Sequence, residues 1–268
     1  MHFLRRFPVV VFLVTLSAAG VLAQSSEQQQ ADNTYIEAAT LYQQASGEAR
    51  ALEYQTYQLA RMLLDRDLHN RRIKMRRAII VDVDETILDN SRYQGMLIKR
   101  GVNYPEGWTD WCNRAEATSI PGALDFLKYA HSRGVRVFYI TNRKIAEKDG
   151  TARNLKSLGF PEVNDETLLV RTDTQNDTKE PRRKSVAARY HIVLLMGDNL
   201  NDFSDVFEKS KTVAARLDAT EKNRSQFGTH FIVLPNAMYG DWENAVYDYN
   251  FKLSSAEKQA KRRTLLKD

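Results

Sequence analysis

The 268-residue chain carries 39 basic and 34 acidic residues, five histidines and one cysteine, with 43% hydrophobic and 27% charged residues. This is the composition of a globular chain long enough for one α/β domain with a decorated edge, or for two small domains. A net charge of +5 is too mild to argue for a nucleic-acid polymer as partner. A single cysteine, Cys112, excludes an intrachain disulfide and reads as a buried thiol.

The N-terminus places His2, Arg5 and Arg6 before an apolar run from Val9 to Leu16, then small residues ending in Val21-Leu22-Ala23. That layout predicts a cleavable signal peptide over 1–23 and a periplasmic or secreted location. The apolar run is short for a spanning helix, and no cysteine near the junction could take a lipid anchor. Residues 24–33 are polar and low in complexity, the composition of a disordered linker. From 34 to 76 an apolar stripe that includes Leu41, Ala45, Leu52, Leu59 and Leu63 predicts helix, with Gly47 separating two segments. Arg71, Arg72, Lys74, Arg76 and Arg77 then form a basic, solvated lead-in.

Ala78 to Val81 is a short apolar run with β-branched residues, the composition of a central parallel strand. Residues 88–120 show no strand pattern but hold Tyr93, Tyr104, Trp108 and Trp111, and read as an insertion. Pro121 predicts the first turn of a helix reaching Ser132, closed by Gly134. Val135 to Ile140 is a second strand, Glu147 to Leu158 a helix with Gly159 as its stop, and Leu168 to Val170 a third strand. Arg182 to Tyr190 is helical. Ile192 to Met196, Thr212 to Ala215 and Phe231 to Leu234 read as further strands. The alternation predicts an α/β, doubly wound, mostly parallel sheet over 77–250, with a smaller helical subdomain from the N-terminal helices and the insertion. Residues 251–268 form a basic tail, helical at first and frayed at its end.

Three of the apolar strands end in polar residues of one kind: Asp82-Val83-Asp84-Glu85-Thr86, Thr141-Asn142, and Gly197-Asp198-Asn199-Leu200-Asn201-Asp202. As parallel neighbours their ends converge on the carboxyl edge of the sheet, where open α/β folds place ligands. Asp82, Asp84, Asp198 and Asp202 would repel one another there without a cation, and Mg²⁺ favours carboxylate, carbonyl and water oxygens. Lys179 or Lys184, a short way upstream, could reach the same crevice. A metal, a threonine hydroxyl, backbone amides and a lysine suit a tetrahedral dianion, with phosphate the obvious candidate. An Asp-x-Asp taken alone could equally end a strand in a solvated turn, and Asp202 could cap the helix that follows it.

Taken together, these motifs, with Phe138 to Arg143, Gly197 to Phe203 and Leu234 to Trp242, resemble the haloacid dehalogenase (HAD) superfamily, and within it the class C acid phosphatases. The resemblance covers roughly Arg77 to Tyr249. It implies a Mg²⁺-dependent phosphomonoesterase with Asp82 as nucleophile and Asp84 as general acid and base. It implies Asp82, the main-chain carbonyl of Asp84, Asp198 and Asp202 as the metal set, and Thr141, Asn142 and Lys179 as phosphate ligands; the Lys179-Glu180-Pro181-Arg182 pattern favours Lys179 over Lys184. Trp108, Trp111 and Tyr239, with Tyr104 further off, are the matching candidates for stacking on a nucleoside or aryl leaving group. A phosphotransferase using the same site, and a non-catalytic phosphate-ligand binding or storage protein, are the alternatives. A small-molecule phosphomonoester is the expected partner, and relatives of this kind include homodimers.

Overall fold

The computed structural model describes residue 33, residues 35–172 and residues 177–268. The expected signal peptide and all of the expected linker except Asn33 lie outside the described residues. Among the described residues no helix is long and apolar enough to cross a membrane.

Strand β1 (Arg77–Val81) is the middle of a five-stranded sheet in which every pairing is parallel. It pairs with β4 (Arg136–Lys144) on one side and β6 (His191–Gly197) on the other. The outer strands are β5 (Leu168–Arg171) beside β4 and β7 (Phe231–Val233) beside β6. Alternation along β1 divides the core. Ile79 and Val81 face one layer with Val137, Tyr139, Leu194 and Met196, whereas Ala78 and Ile80 face the other with Phe138, Ile140 and Leu195. A strand buried on both faces must be apolar at every position, which is why its sequence lacks alternation.

Helix α1 (Glu37–Ala45) and helix α2 (Gly47–Leu68) meet at Ser46, whose side chain accepts from the Ala49 amide and caps α2. Helix α2 lays Tyr57, Ala60, Leu63 and Leu64 on the first sheet layer, and the Tyr57 hydroxyl donates to the Thr86 carbonyl just beyond β1. The stretch read as strandless holds two short strands, β2 (Leu88–Asp89) and β3 (Thr118–Ser119), paired antiparallel. Between them lie α3 (Ser91–Arg100) and α4 (Trp108–Arg114). Two-residue strands carry no periodicity for a sequence pattern to reveal.

Helix α5 (Ala123–Ser132) starts two residues after Pro121, because Gly122 takes a left-handed conformation at its N-cap. Helices α6 (Ile145–Leu158) and α7 (Lys179–Ala187) follow, and Gly159 closes α6 as expected. Thr212 to Ala215, expected as a strand, instead opens helix α9 (Val213–Lys222), which follows the short α8 (Asp205–Lys209). Thr212 is its N-cap and accepts from the Ala215 amide, so a β-branched residue here serves as a helix start. Helix α10 (Asp241–Val246) and helix α11 (Ser255–Leu265) complete the chain. The basic tail is thus capped by Ser254 and docked: Lys261 pairs with Asp248 at 2.6 Å, and Arg262 lies 3.8 Å over the Tyr35 ring.

Candidate active site

The carboxyl ends of β1, β4 and β6 meet in one cleft of about 610 Å³. Beyond β1 the Asp82 amide still donates to the Met196 carbonyl at 2.9 Å, so Asp82 is held as the last paired residue of the strand. The chain then turns on Glu85, whose φ of 50° lies in the left-handed region, and the Ile87 and Leu88 amides return to the Val83 carbonyl. Asp84 therefore faces the cleft, while Glu85 swings inward to accept from the Asn90 amide at 2.8 Å and from the Tyr239 hydroxyl.

At the end of β6, Gly197 brings Asp202 back over the strand. A Cβ on Gly197 would stand 2.5 Å from the Asp202 Cβ and 2.6 Å from its Cγ, so only glycine permits the approach. Asp202 lies in a 3₁₀ turn and accepts from the Asn199 amide at 3.0 Å, whereas the helix that follows is capped by Ser204 and not, as the sequence allowed, by Asp202. Its other oxygen accepts from Lys179 Nζ at 2.7 Å. Lys179 opens α7, is only 4% exposed, and also donates to Asp82 Oδ1. Lys184 points outward and pairs with Glu180 at 3.3 Å, so it is Lys179 that reaches the crevice. Asp198 accepts from Asn236 Nδ2 at 2.8 Å.

Asp82, Asp198 and Asp202 each offer an oxygen within 4.8 Å of the others. Burial pushes the Asp82 carboxyl up to about 7; the Lys179 charge opposes this, and Asp202 and Asp84 add to it. Burial, followed by the Asp202 and Asp82 charges, holds Asp198 well above the usual carboxylate range. Burial works against the Lys179 ammonium, but the Asp202 and Asp82 charges outweigh it and raise its pKa. Three close carboxylates with a single ammonium leave unneutralised negative charge, and an all-oxygen donor set suits a hard divalent cation. The residues present fit such an ion. The Asp84 carboxylate stands apart from this set, paired with Arg143 Nη2 at 2.7 Å.

The strand expected to stop at Ile140 runs on through Thr141-Asn142-Arg143 to Lys144, with a shift in its pairing to β5. Thr141 is fully buried, its hydroxyl 3.4 Å from Asp84 Oδ2, and Asn142 lines the cleft. Arg143 has the largest of the fully buried side chains among the described residues. The motif containing it was visible, and the two-residue repeat of a strand would have put it on the same face as Thr141. Asn90, Asn236 and Glu85 were missed because each acts through a turn that no periodicity marks.

Of the aromatic candidates, Trp108 and Tyr239 line the cleft together with Tyr104, which is 62% exposed. Trp108 meets Tyr93 edge-on at 5.0 Å and Tyr104 at 6.0 Å. Trp111 is not with them. It is 4% exposed, belongs to the core, and donates its indole N–H to Asn90 Oδ1 at 2.8 Å, which satisfies its only polar atom in the interior. The outer wall of the cleft holds residues the sequence did not suggest: Tyr35 from the N-terminal segment, and Tyr247, Phe251 and Lys258 near the C-terminus.

The chain matches the family model described as HAD superfamily, subfamily IIIB (acid phosphatase), over residues 14–242. A class C acid phosphatase from Bacillus anthracis is similar to it at 44% sequence identity, over 90% of this chain and 99% of its own length, with a TM-score of 0.84. A structure of the class C acid phosphatase from Bacillus anthracis with tungstate bound matches at the same identity and TM-score, over 91% and 99% of the two chains.

Proposed function

We propose, for a chain that belongs to the acid phosphatases of HAD subfamily IIIB and is therefore a phosphomonoesterase, that Asp82 is its nucleophile and Asp84 its proton carrier. The observation that carries this assignment is the placement of Asp82 at the tip of the central strand, paired with the buried Lys179 and beside Asp198 and Asp202. In the first step an Asp82 oxygen forms a bond to phosphorus as the bond to the leaving oxygen breaks. Asp84 gives its proton to that oxygen. In the second step water attacks phosphorus, the bond to Asp82 breaks, and Asp84 takes the water proton.

Lys179 supplies a fixed positive charge at the transferring group, and the buried Thr141 and cleft-lining Asn142 contribute donors beside it. Asp82, Asp198 and Asp202 would hold a divalent cation, Mg²⁺ by the resemblance, together with the Asp84 main-chain carbonyl. Bound there, it would neutralise carboxylate and phosphoryl charge. The Bacillus anthracis relative binds tungstate, a tetrahedral oxyanion, which supports an anion site of this kind here. Trp108, Tyr104 and Tyr239 lining the cleft support flat leaving groups, so nucleoside monophosphates and aryl phosphates are the proposed substrates. A periplasmic or secreted location follows from the N-terminal segment.

Phosphate release from a 5′-nucleotide and from p-nitrophenyl phosphate tests the assignment, with wild type and Asp82→Asn, each with Mg²⁺ or with EDTA. Turnover that needs the metal and falls roughly 10³-fold or more in Asp82→Asn is expected. Turnover surviving in Asp82→Asn would overturn the assignment of the nucleophile, and full turnover in EDTA would overturn that of the cation.

A further inference from the structure

The cleft contains a large buried cation that the reaction as written does not use. Arg143 is 2% exposed, yet its guanidinium is committed on every side. Its Nη2 donates to Asp84 Oδ1 at 2.7 Å and its Nε to the same oxygen at 3.0 Å. Asn90 Nδ2 adds a third donor to Oδ1 at 2.9 Å. Asp84 Oδ2 has only longer contacts, to Arg143 Nε at 3.3 Å and to the Thr141 hydroxyl at 3.4 Å. The two oxygens of one carboxylate are thus unequal, one saturated with donors and the other open.

The arginine is itself held in place. Nη1 donates to the Thr151 hydroxyl at 3.0 Å, and Thr151 in turn donates to the Glu147 carbonyl at 2.7 Å. Nη2 also donates to Asn90 Oδ1 at 3.2 Å, and the guanidinium carbon lies 5.3 Å from the centre of the Trp108 ring. Burying a guanidinium is costly unless its partners are in place, and the planar fork fixes a carboxylate in direction as well as in position.

We infer that Arg143 is a positioning residue for proton transfer: by saturating Asp84 Oδ1 it reserves Oδ2 as the oxygen that carries and delivers the proton. In the first step the P–O bond to the leaving group breaks and its electron pair goes to the leaving oxygen. That oxygen takes the proton from Oδ2, leaving a carboxylate braced by Arg143. In the second step Oδ2 recovers a proton from the attacking water. The contact to Trp108 ties this orientation to the cleft wall that meets the leaving group. The inference rests on Asp84 being the proton donor.

The test compares kcat/KM for glycerol phosphate, whose alkoxide cannot leave without a proton, with that for p-nitrophenyl phosphate, whose phenolate can. Arg143→Lys keeps the charge and loses the fork. It should lower the alkyl ester roughly 10²-fold and the aryl ester less than about tenfold. An equal loss on both esters, or no loss on either, overturns the inference. Asp84→Asn is run alongside. If Asp84→Asn lacks the same selectivity, it is the assignment of Asp84 that fails; if it shows selectivity and Arg143→Lys does not, only the role of Arg143 fails. Far-ultraviolet circular dichroism and a thermal melt check the fold of each variant. If Arg143→Lys does not fold, Thr151→Val, which frees Nη1 alone, replaces it. It should show the same selectivity at smaller size, and its absence would overturn the inference equally.

Discussion

Lys179 places its ammonium between the Asp82 and Asp202 carboxylates with almost no solvent to share the charge. Breaking such an arrangement from one side leaves buried carboxylates without a counter-charge, at a cost of roughly 3–5 kcal/mol. Lys179→Met should therefore lower the urea midpoint of the metal-free protein at pH 7 and cut kcat at least ~10²-fold, whereas Lys184→Met should change neither appreciably. Asp82 gives a prediction of opposite sense. Its carboxyl is raised to about 7 from an ordinary 3.8, chiefly by burial, so between those values the folded form holds a proton that the unfolded form has lost. Stability then falls as pH rises through that window. Urea titrations of metal-free wild type and Asp82→Asn from pH 4 to 7 should show this, with the wild type losing stability with rising pH relative to the variant. A difference between the two that does not vary with pH would contradict it.

Between elements, α4 and α6 approach closely at Gly150. A Cβ on Gly150 would stand 2.6 Å from the Asn113 Cα and run into the Cys112 carbonyl, both backbone atoms that cannot swing aside. Gly150→Ala should destabilise the fold by roughly 1–3 kcal/mol, read as a shift in the denaturant midpoint at unchanged slope, despite alanine being the better helix former. This contact was not legible in the sequence, where a glycine inside a helical pattern only weakens the expectation of a helix. What was legible followed from burial. The runs Ala78–Val81 and Ile192–Met196 are apolar because both sheet faces are covered, and their polar ends mark the cleft. Three features needed more than pattern. Thr212 looked like strand but caps a helix. Trp111 looked like a cleft aromatic but closes the core against Asn90. Arg143 stands in the sequence as part of a motif, with nothing to mark it as the partner of Asp84. In each case the deciding contact joins residues distant in sequence or sits at a cap, where local propensity is silent.

At the scale of the whole molecule, the two ends of the described chain meet at the outer cleft. Arg262 of α11 covers the Tyr35 ring and donates to the Tyr247 hydroxyl at 2.6 Å, while the Tyr35 hydroxyl donates to Glu243. Tyr35, Tyr247 and Glu243 all line the cleft, far along the chain from the clustered carboxylates Asp82, Asp198 and Asp202. Arg262→Ala should therefore loosen this outer wall of the cleft, which on the proposed assignment flanks the substrate, and leave Asp82, Asp198 and Asp202 in place. Steady-state kinetics on a 5′-nucleotide should show KM raised about threefold or more with kcat within about twofold, and a fall in kcat alone would contradict this placement.

With Asp82 as the proposed nucleophile, turnover passes through an Asp82 that carries the phosphoryl group. Wild-type protein mixed with Mg²⁺ and a rapidly turned-over aryl phosphate, quenched in acid within the first turnovers and digested, can be mapped by mass spectrometry. A phosphoryl group on the peptide containing Asp82, absent in Asp82→Asn and lost on treatment with hydroxylamine, is the predicted result. A phosphoryl group on another residue, or product formed in a single turnover with no phosphorylated peptide at any quench time, would contradict it.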